Sequence, residues 1–324
     1  MVEIADLSVA FDGVTVLHGI DLTVARRETL GLVGESGCGK SVTWLAALGL
    51  LPRSAGVTGS VRLDGRELIG APAADLDRVR GGRIAMIFQD PASSLNPVIP
   101  IGRQVGEALA LHRGLSGGAV RAEARRLFDL VGIPDAARRL HAFPHELSGG
   151  QNQRAMIAMA LAGQPDLLVA DEPTTALDAT IQAQILDLMA SIRRETGMAI
   201  VLISHDLGII SETCERVLVM YGGRIVEAAT AEALFAAPLH PYTRGLLAAL
   251  PPLEGARRRL EPIEGQVPGP LDMPPGCAFA PRCPHRLGVC EASVPRLAEI
   301  APGRLAACVL SESRMTMPAK AATA

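Results

Sequence analysis

Aromatic residues are scarce in this sequence, at 3% of its 324 residues, although hydrophobic residues make up 48%. The buried core is therefore expected to be aliphatic, and at this length it can be large. Basic residues are not in excess either: 31 Lys and Arg stand against 34 Asp and Glu, a net charge of −3. Domains that bind nucleic acid through bulk charge are usually basic, so that class of protein is disfavoured.

Long apolar runs are also missing. The longest stretches, 44–51 and 155–162, fall well short of the roughly 18–20 residues that a membrane-spanning helix needs. The first residues, MVEIADLSVA, include acidic side chains where a secretory signal would be basic. We therefore expect a soluble, cytoplasmic chain whose membrane role, if it has one, comes through a partner.

Apolar residues alternate with polar ones over 2–9 and form continuous runs at 29–33, 167–169 and 199–203. The first pattern predicts a half-buried strand, and the continuous runs predict strands that are buried on both faces of a parallel sheet. Helical spacing over 104–112, 119–131 and 181–196 predicts helices between them. This alternation indicates an α/β core with a helical insertion over about 92–163.

The segment GESGCGKS at 34–41 follows one of these strands and precedes a predicted helix. Its glycines let backbone amides turn toward phosphate oxygens, and the positive end of the helix favours the same anion. Lys40 is expected to reach the β- and γ-phosphates, and the Ser41 hydroxyl to bind Mg²⁺. The predicted nucleotide-binding residues of this phosphate loop (34–41) are Gly34, Glu35, Ser36, Gly37, Cys38, Gly39, Lys40 and Ser41.

Cys38 lies within that loop, at the positive end of a helix and two residues before Lys40. Both neighbours favour the thiolate, so the pKa of Cys38 is expected to be lowered and the thiol reactive if it is accessible. The alternative is a small buried side chain that faces the sheet.

The apolar run LLVADE ends in two carboxylates, Asp171 and Glu172. A buried strand that delivers them beside a phosphate loop would let Asp171 hold Mg²⁺ and Glu172 activate the attacking water. Upstream, LSGGQ precedes a predicted helix and forms a second possible anion cradle, or only an ordinary helix cap. The residues of this signature loop (147–151) are Leu147, Ser148, Gly149, Gly150 and Gln151.

Taken together, these motifs resemble the ATP-binding cassette (ABC) superfamily. Its phosphate loop, signature and strand-end carboxylates are matched in the family's order, with Gln89 in IFQDP at the Q-loop, Asp178 at the D-loop and His205 in LISHD at the switch position. Phe11 stands where the family places an aromatic residue against adenine. The resemblance implies a P-loop NTPase fold: a RecA-like core with an antiparallel β subdomain and a helical subdomain.

The resemblance also implies a mechanism. Two cassettes bind ATP head to tail, so the signature loop of one contacts the γ-phosphate held by the other. Glu172, His205 and Gln89 would be the catalytic residues, and Ser41, Gln89 and Asp171 the Mg²⁺ ligands. A plain core role for Phe11 and an ordinary strand-end role for His205 remain the alternatives.

Four cysteines crowd into the end of the chain, at Cys277, Cys283, Cys290 and Cys308. In a cytosolic protein such a cluster favours a metal site over disulfides. Intervals of five, six and seventeen residues lack the short pairs of common zinc modules, and four thiolates suit either iron–sulfur or zinc. Free or oxidised thiols are the remaining alternative. Around them, PLHPYTRGLL and GCAFAPRCPHRLGVC resemble the peptide, dipeptide and nickel importer ATPases, which implies a [4Fe–4S] cluster with these ligands.

The expected organisation is an ABC ATPase domain over 1–235, a small Cys-rich C-terminal extension over 236–310, and a disordered tail over 311–324. The expected function is ATP-driven import of dipeptides or oligopeptides at the cytoplasmic face of the inner membrane. Nickel complexes, glutathione, opine- or sugar-like solutes, or a soluble non-transport ATPase are the alternatives. The expected partners are a second cassette, two permease subunits and an extracytoplasmic binding protein, with no nucleic acid.

Overall fold

The computed structural model describes residues 1–89, 94–175, 177–249 and 262–311. The chain divides into two units, each assembled from separated stretches. The first comprises Met1–Val2, Val24–Thr29 and Leu63–Ile203, and the second comprises Glu3–Thr23, Leu30–Arg62 and Ser204–Ala324. The expected disordered tail falls outside the described residues except for Ser311, which is buried. None of the described helices combines the length and apolar character that crossing a bilayer requires.

The second unit contains two sheets. Long N-terminal strands pair in the order β2-β1-β4, with β1 at Val2–Phe11, β2 at Val14–Val24 and β4 at Ala55–Leu63. The other sheet has the order β11-β12-β10-β9-β3, with β3 at Thr29–Val33, β9 at Arg216–Tyr221, β10 at Arg224–Thr230, β11 at Ala298–Ala301 and β12 at Arg304–Ala306. The alternation predicted over 2–9 and the continuous run at 29–33 are therefore both strands.

Two pairings of that second sheet position functional segments. Strand β3 runs parallel to β9 with Leu30 opposite Arg216 and Val33 opposite Val219, and β3 leads directly into the phosphate loop. Strand β10 pairs antiparallel with β12, with Glu227 opposite Ala306, so the C-terminal extension contributes a strand to this sheet. The unit's helices are α1 (Lys40–Ala47), α8 (Leu207–Thr213), α9 (Ala231–Ala236), α10 (Pro241–Ala248) and α11 (Gly288–Ala292).

In the first unit, strands β6 (Ile84–Ile87), β7 (Leu167–Asp171) and β8 (Ala199–Ser204) form a parallel sheet. Strand β7 is buried along its whole length, as its continuous apolar run predicts. A short strand, β5, occupies Arg66–Glu67. The helices are α2 (Ala73–Val79), α3 (Ile101–Arg113), α4 (Gly117–Leu130), α5 (Ala136–Arg139), α6 (Gly149–Leu161) and α7 (Ala179–Thr196).

Candidate functional site

The phosphate loop connects β3 to helix α1 and requires glycine at two positions. Gly34 has φ +153°, and a Cβ placed on it would lie 2.3 Å from the carbonyl oxygen of Met220. Gly39 has φ +105°, and a Cβ there would lie 2.4 Å from Cδ2 of Leu17. A side chain at either position would force the loop to move. Glycine at both positions lets the loop keep this backbone, with its amides at the positive end of α1.

Lys40 is folded into this loop and only 6% exposed. Its ammonium group donates hydrogen bonds to the carbonyl oxygens of Gly34 at 2.8 Å and Glu35 at 3.1 Å. The loop therefore holds its cation among carbonyl oxygens, at the helix end where an anion is favoured. Ser41 follows at the start of α1 and is half-buried.

The expectation of a reactive Cys38 is wrong. The side chain is 1% exposed, with Sγ 3.8 Å from Nζ of Lys40. Burial raises the pKa of the thiol, and the nearby Lys40 charge opposes that rise without overcoming it. The helix end and the cation were correctly identified from the sequence, but the direction of the side chain, into the protein, decides the outcome.

Glu35 is held by residues more than 200 positions away, and sequence reasoning missed them. Its backbone N–H donates to the Tyr242 hydroxyl at 2.9 Å, and its carboxylate accepts from Nη1 of Arg282 at 3.0 and 3.1 Å. Arg282 also donates to the Tyr221 hydroxyl at 3.3 Å. No local pattern marks these partners, because they are separated from Glu35 by 207 and 247 residues along the chain.

In the first unit, the end of β7 presents the two predicted carboxylates. Asp171 is the last residue of the strand and is buried. Glu172 follows with φ +48°, an unusual backbone for a residue with a side chain. Its Oε2 accepts hydrogen bonds from Nε2 of Gln89 at 3.0 Å and Oγ1 of Thr175 at 2.9 Å. Two of the predicted catalytic residues, Gln89 and Glu172, are thus brought together.

The signature loop begins helix α6. Ser148 is the N-cap: its Oγ accepts from the Gln151 N–H at 3.3 Å, and Oε1 of Gln151 accepts from the Ser148 N–H at 3.2 Å. This reciprocal pair is a capping box, which fixes the first turn of the helix. Gly149 and Gly150 are the first helical residues, so their amides lie at the positive end of the helix. The cap and the anion cradle are therefore compatible.

The remaining predicted residues occupy element ends. Phe11 is the last residue of β1 and half-buried, and His205 directly follows β8 and is exposed. Asp178 caps helix α7 by accepting from the Ile181 N–H at 3.0 Å. Ala176 of the D-loop lies outside the described residues.

The four C-terminal cysteines line one small cavity of about 20 Å³, and Phe279 and His240 line it with them. The cysteines are Cys277, Cys283, Cys290 and Cys308. All four are free thiols, and burial raises the pKa values of Cys277 and Cys283. Within the described residues, no three His, Cys, Asp or Glu side chains have the arrangement that holds a metal ion. The donor set, four thiols around one cavity, fits soft-metal or iron–sulfur chemistry.

Comparison with known proteins places these features in a family. A model of the ABC transporter family matches residues 17–175, and one of the oligopeptide/dipeptide transporter C-terminal region matches residues 226–290. Oligopeptide transport ATP-binding protein OppD of Salmonella typhimurium is 46% identical over 312 residues, which is 95% of this chain and 93% of OppD. A "Probable peptide ABC transporter ATP-binding protein" of Sinorhizobium fredii is 50% identical over 315 residues, 95% of this chain and 94% of the relative.

Solved structures agree on the fold. The ATP-binding cassette MJ0796, solved as a dimer in a post-hydrolysis state with ADP and Pi, superimposes with a TM-score of 0.64 and 26% identity, covering 71% of this chain and 99% of that one. CbiO1 of Clostridium perfringens, part of the transporter complex cbiONQ, gives 0.63 and 27%, covering 73% and 90%. The chain therefore belongs to the ABC transporter family of ATP-binding proteins, in the group that carries the oligopeptide/dipeptide transporter C-terminal region.

Proposed function

We propose that this chain is the ATP-hydrolysing subunit of a binding-protein-dependent importer of dipeptides or oligopeptides. The observation that carries the proposal is identity of 46–50% to peptide import ATPases over 95% of the chain, so that the similarity includes the extension as well as the cassette. The names of these relatives favour peptides over nickel complexes, glutathione, opine- or sugar-like solutes, and over a non-transport ATPase.

In this proposal the phosphate loop binds ATP. The loop amides and Lys40 contact the β- and γ-phosphates, and Phe11 packs against adenine. Mg²⁺, held by Ser41, Gln89 and Asp171, would neutralise phosphate charge. Glu172 accepts a proton from the attacking water, and its hydrogen bonds from Gln89 and Thr175 fix the orientation of the carboxylate.

Hydrolysis requires a second cassette. The signature loop of the partner subunit would contact the γ-phosphate through the amides at the start of its helix, while Asp178 lies in the D-loop and His205 contacts the γ-phosphate. We propose that closure of this head-to-tail pair drives two permease subunits, which receive peptide from an extracytoplasmic binding protein. The chain then works at the cytoplasmic face of the inner membrane, as a peripheral subunit with no nucleic acid partner.

We also propose the domain boundaries 1–235 for the ATPase domain, with its helical subdomain at about 92–163, and 236–310 for the extension. In the extension, Cys277, Cys283, Cys290 and Cys308 would bind a [4Fe–4S] cluster, with zinc as the alternative. The presence of all four thiols in the lining of one cavity, and the affinity of thiolates for iron and zinc, support the ligand set. The group would serve as a structural staple, because the extension has few long elements of its own.

The function is tested by reconstituting the chain with a second cassette, the two subunits of a peptide permease and an extracytoplasmic peptide-binding protein. ATP hydrolysis by the reconstituted complex should rise several-fold when peptide and binding protein are both added. Stimulation by a nickel complex or a sugar in place of peptide would contradict the substrate class, and hydrolysis that never depends on a permease would contradict the transport role.

The metal is tested on protein purified without oxygen. We expect brown protein with about four iron and four sulfide per chain. Cys283→Ser should remove the colour, whereas Cys214→Ser, which changes a buried cysteine outside the extension, should keep it. Stoichiometric zinc without iron would contradict the cluster and favour the alternative.

A further inference from the structure

We propose that Arg282, in the C-terminal extension, is a positioning residue for ATP binding: it holds Glu35 of the phosphate loop and cancels the charge of that carboxylate. The inference rests on the proposed ATPase function and adds to it a residue from outside the cassette. It assigns the extension a direct part in the affinity for ATP.

The guanidinium group of Arg282 is fixed by the extension itself. Its side chain is 5% exposed, Nε donates to the carbonyl oxygen of Glu264 at 2.9 Å, and Nη2 donates to that of Ile263 at 3.3 Å. The remaining nitrogen, Nη1, reaches both carboxylate oxygens of Glu35 and the Tyr221 hydroxyl. Because the planar group has five donors in a rigid fork, anchoring two nitrogens fixes the direction of the third.

Glu35 links that anchor to the residue that contacts phosphate. Its carbonyl oxygen accepts from Nζ of Lys40 at 3.1 Å and from the Cys38 N–H at 3.3 Å. Its N–H donates to Tyr242, another residue of the extension. The carboxylate, the N–H and the carbonyl of one loop residue are therefore all engaged, so a displacement of Glu35 also disturbs the position of Lys40.

The charge of Arg282 connects its pairing with Glu35 to nucleotide binding. The Glu35 side chain is 30% exposed, in the loop where the proposed function puts a triphosphate. An uncompensated carboxylate there would repel the phosphates, and the paired Arg282 removes that repulsion. If Arg282 served only to hold the loop in place, an uncharged pair of hydrogen-bonding side chains would do the same. The charge role and this purely mechanical role predict opposite signs for the effect of Glu35→Gln on the affinity for ATP.

If charge is the reason, Arg282→Met and Glu35→Gln change the affinity for ATP in opposite directions. Arg282→Met leaves the carboxylate unpaired and should weaken ATP binding by roughly tenfold. Glu35→Gln leaves a positive charge near the phosphates and should tighten ATP binding by about two- to fivefold. The double variant, with neither charge, should bind ATP within about threefold of the wild type.

The experiment measures the Kd of the full-length protein for ATP by calorimetry at low and high salt, and KM and kcat for hydrolysis. We expect Arg282→Met to raise KM and leave kcat at saturating ATP within about threefold, since the loss is one of uniform binding. High salt should reduce the gap between the variants, because it screens the charges. Arg282→Lys keeps a charge but loses the fork, and should lie between Arg282→Met and the wild type.

Arg286→Met is the matched control. Arg286 lies four residues further along the same segment, pairs with Glu291 at 3.3 Å and is 54% exposed, so its removal should leave the affinity for ATP unchanged. Should Arg282→Met fail to fold, Glu35→Gln and Arg282→Lys, which keeps a charge at position 282, still test the sign of the effect.

Equal weakening by Arg282→Met and Glu35→Gln, with no recovery in the double variant, would overturn the charge role and leave only a clamp. An Arg282→Met affinity within twofold of the wild type would overturn the inference while the ATPase function stands. A wild-type protein that neither binds nor hydrolyses ATP would instead contradict the proposed function.

Discussion

The signature loop and the phosphate loop both present backbone amides at a helix start, yet they are held in opposite ways. The partners that fix Ser148 and Gln151 in the signature loop are each other, three residues apart. The partners that fix Glu35 in the phosphate loop are Tyr242 and Arg282, 207 and 247 residues away. A local cap can form with its own helix, whereas the phosphate loop depends on the rest of its unit.

The largest effect is expected at Glu172, which lies outside both loops. The proposed function uses this residue for hydrolysis and not for ATP binding. Glu172→Gln should reduce ATP turnover by at least ~100-fold, because an amide cannot accept the proton of the attacking water. Binding of ATP should persist, since the phosphate loop is intact, and hydrolysis and Kd should be measured on the same preparation. Glu212→Gln, an exposed carboxylate on α8, is the control. Turnover within a few-fold of the wild type would exclude Glu172 as the base.

The long-range contacts of the phosphate loop are tested most directly at Tyr242. Tyr242→Phe removes the hydroxyl that accepts the Glu35 N–H and should lower the free energy of unfolding by about 1.5 kcal/mol. The affinity for ATP should also fall a few-fold, because the loop is less preorganised. Urea unfolding and calorimetry measure the two effects. A stability loss with unchanged ATP affinity would show that Tyr242 supports the fold and not the loop.

The local side is tested at Ser148. Ser148→Ala removes the N-cap of α6 and should cost about 1 kcal/mol of unfolding free energy, whereas Ser148→Gly should cost only a few tenths. Neither variant should change the Kd for ATP of the isolated chain, because the capping bonds join two residues of the signature loop itself. Equal stability of the alanine variant and the wild type would mean that the capping box contributes nothing.

The smallest effect is expected from a short-range ion cluster in the helical region. Hydrogen bonding from Arg126, with a further contribution from Arg113, lowers the pKa of Glu123 from 4.5 to about 2. A folded-state pKa below the unfolded one stabilises the protein above pH 4.5, and that stability is lost as the pH falls toward 2. Glu123→Gln should cost about 0.5 kcal/mol at pH 7.

At pH 2 the same substitution should cost almost nothing, since most of the stabilisation is lost once the pH has fallen to the folded-state pKa. Urea unfolding at the two pH values measures the difference. A cost that is the same at both pH values would show that packing, and not charge, explains the contribution of Glu123.

The features that could be predicted from the sequence are those held by short-range contacts, and the features that were missed depend on long-range contacts. The buried run of β7, the glycines of the phosphate loop and the cap at Ser148 are short-range features, with causes that lie within a few residues of one another. The Cys38 prediction failed because the burial of one side chain depends on which way a loop turns. Arg282 could not be found at all, because its role depends on a partner in another part of the chain.

The separation of Glu35 and Arg282 along the chain also sets the order in which they are synthesised. During synthesis the phosphate loop leaves the ribosome 247 residues before the arginine that neutralises it, a delay of roughly 12–50 s at 5–20 residues per second. Over that interval the nascent chain carries the Glu35 carboxylate without its Arg282 partner. The phosphate loop is therefore made early in synthesis, whereas the side chain that pairs with its carboxylate is made near the end.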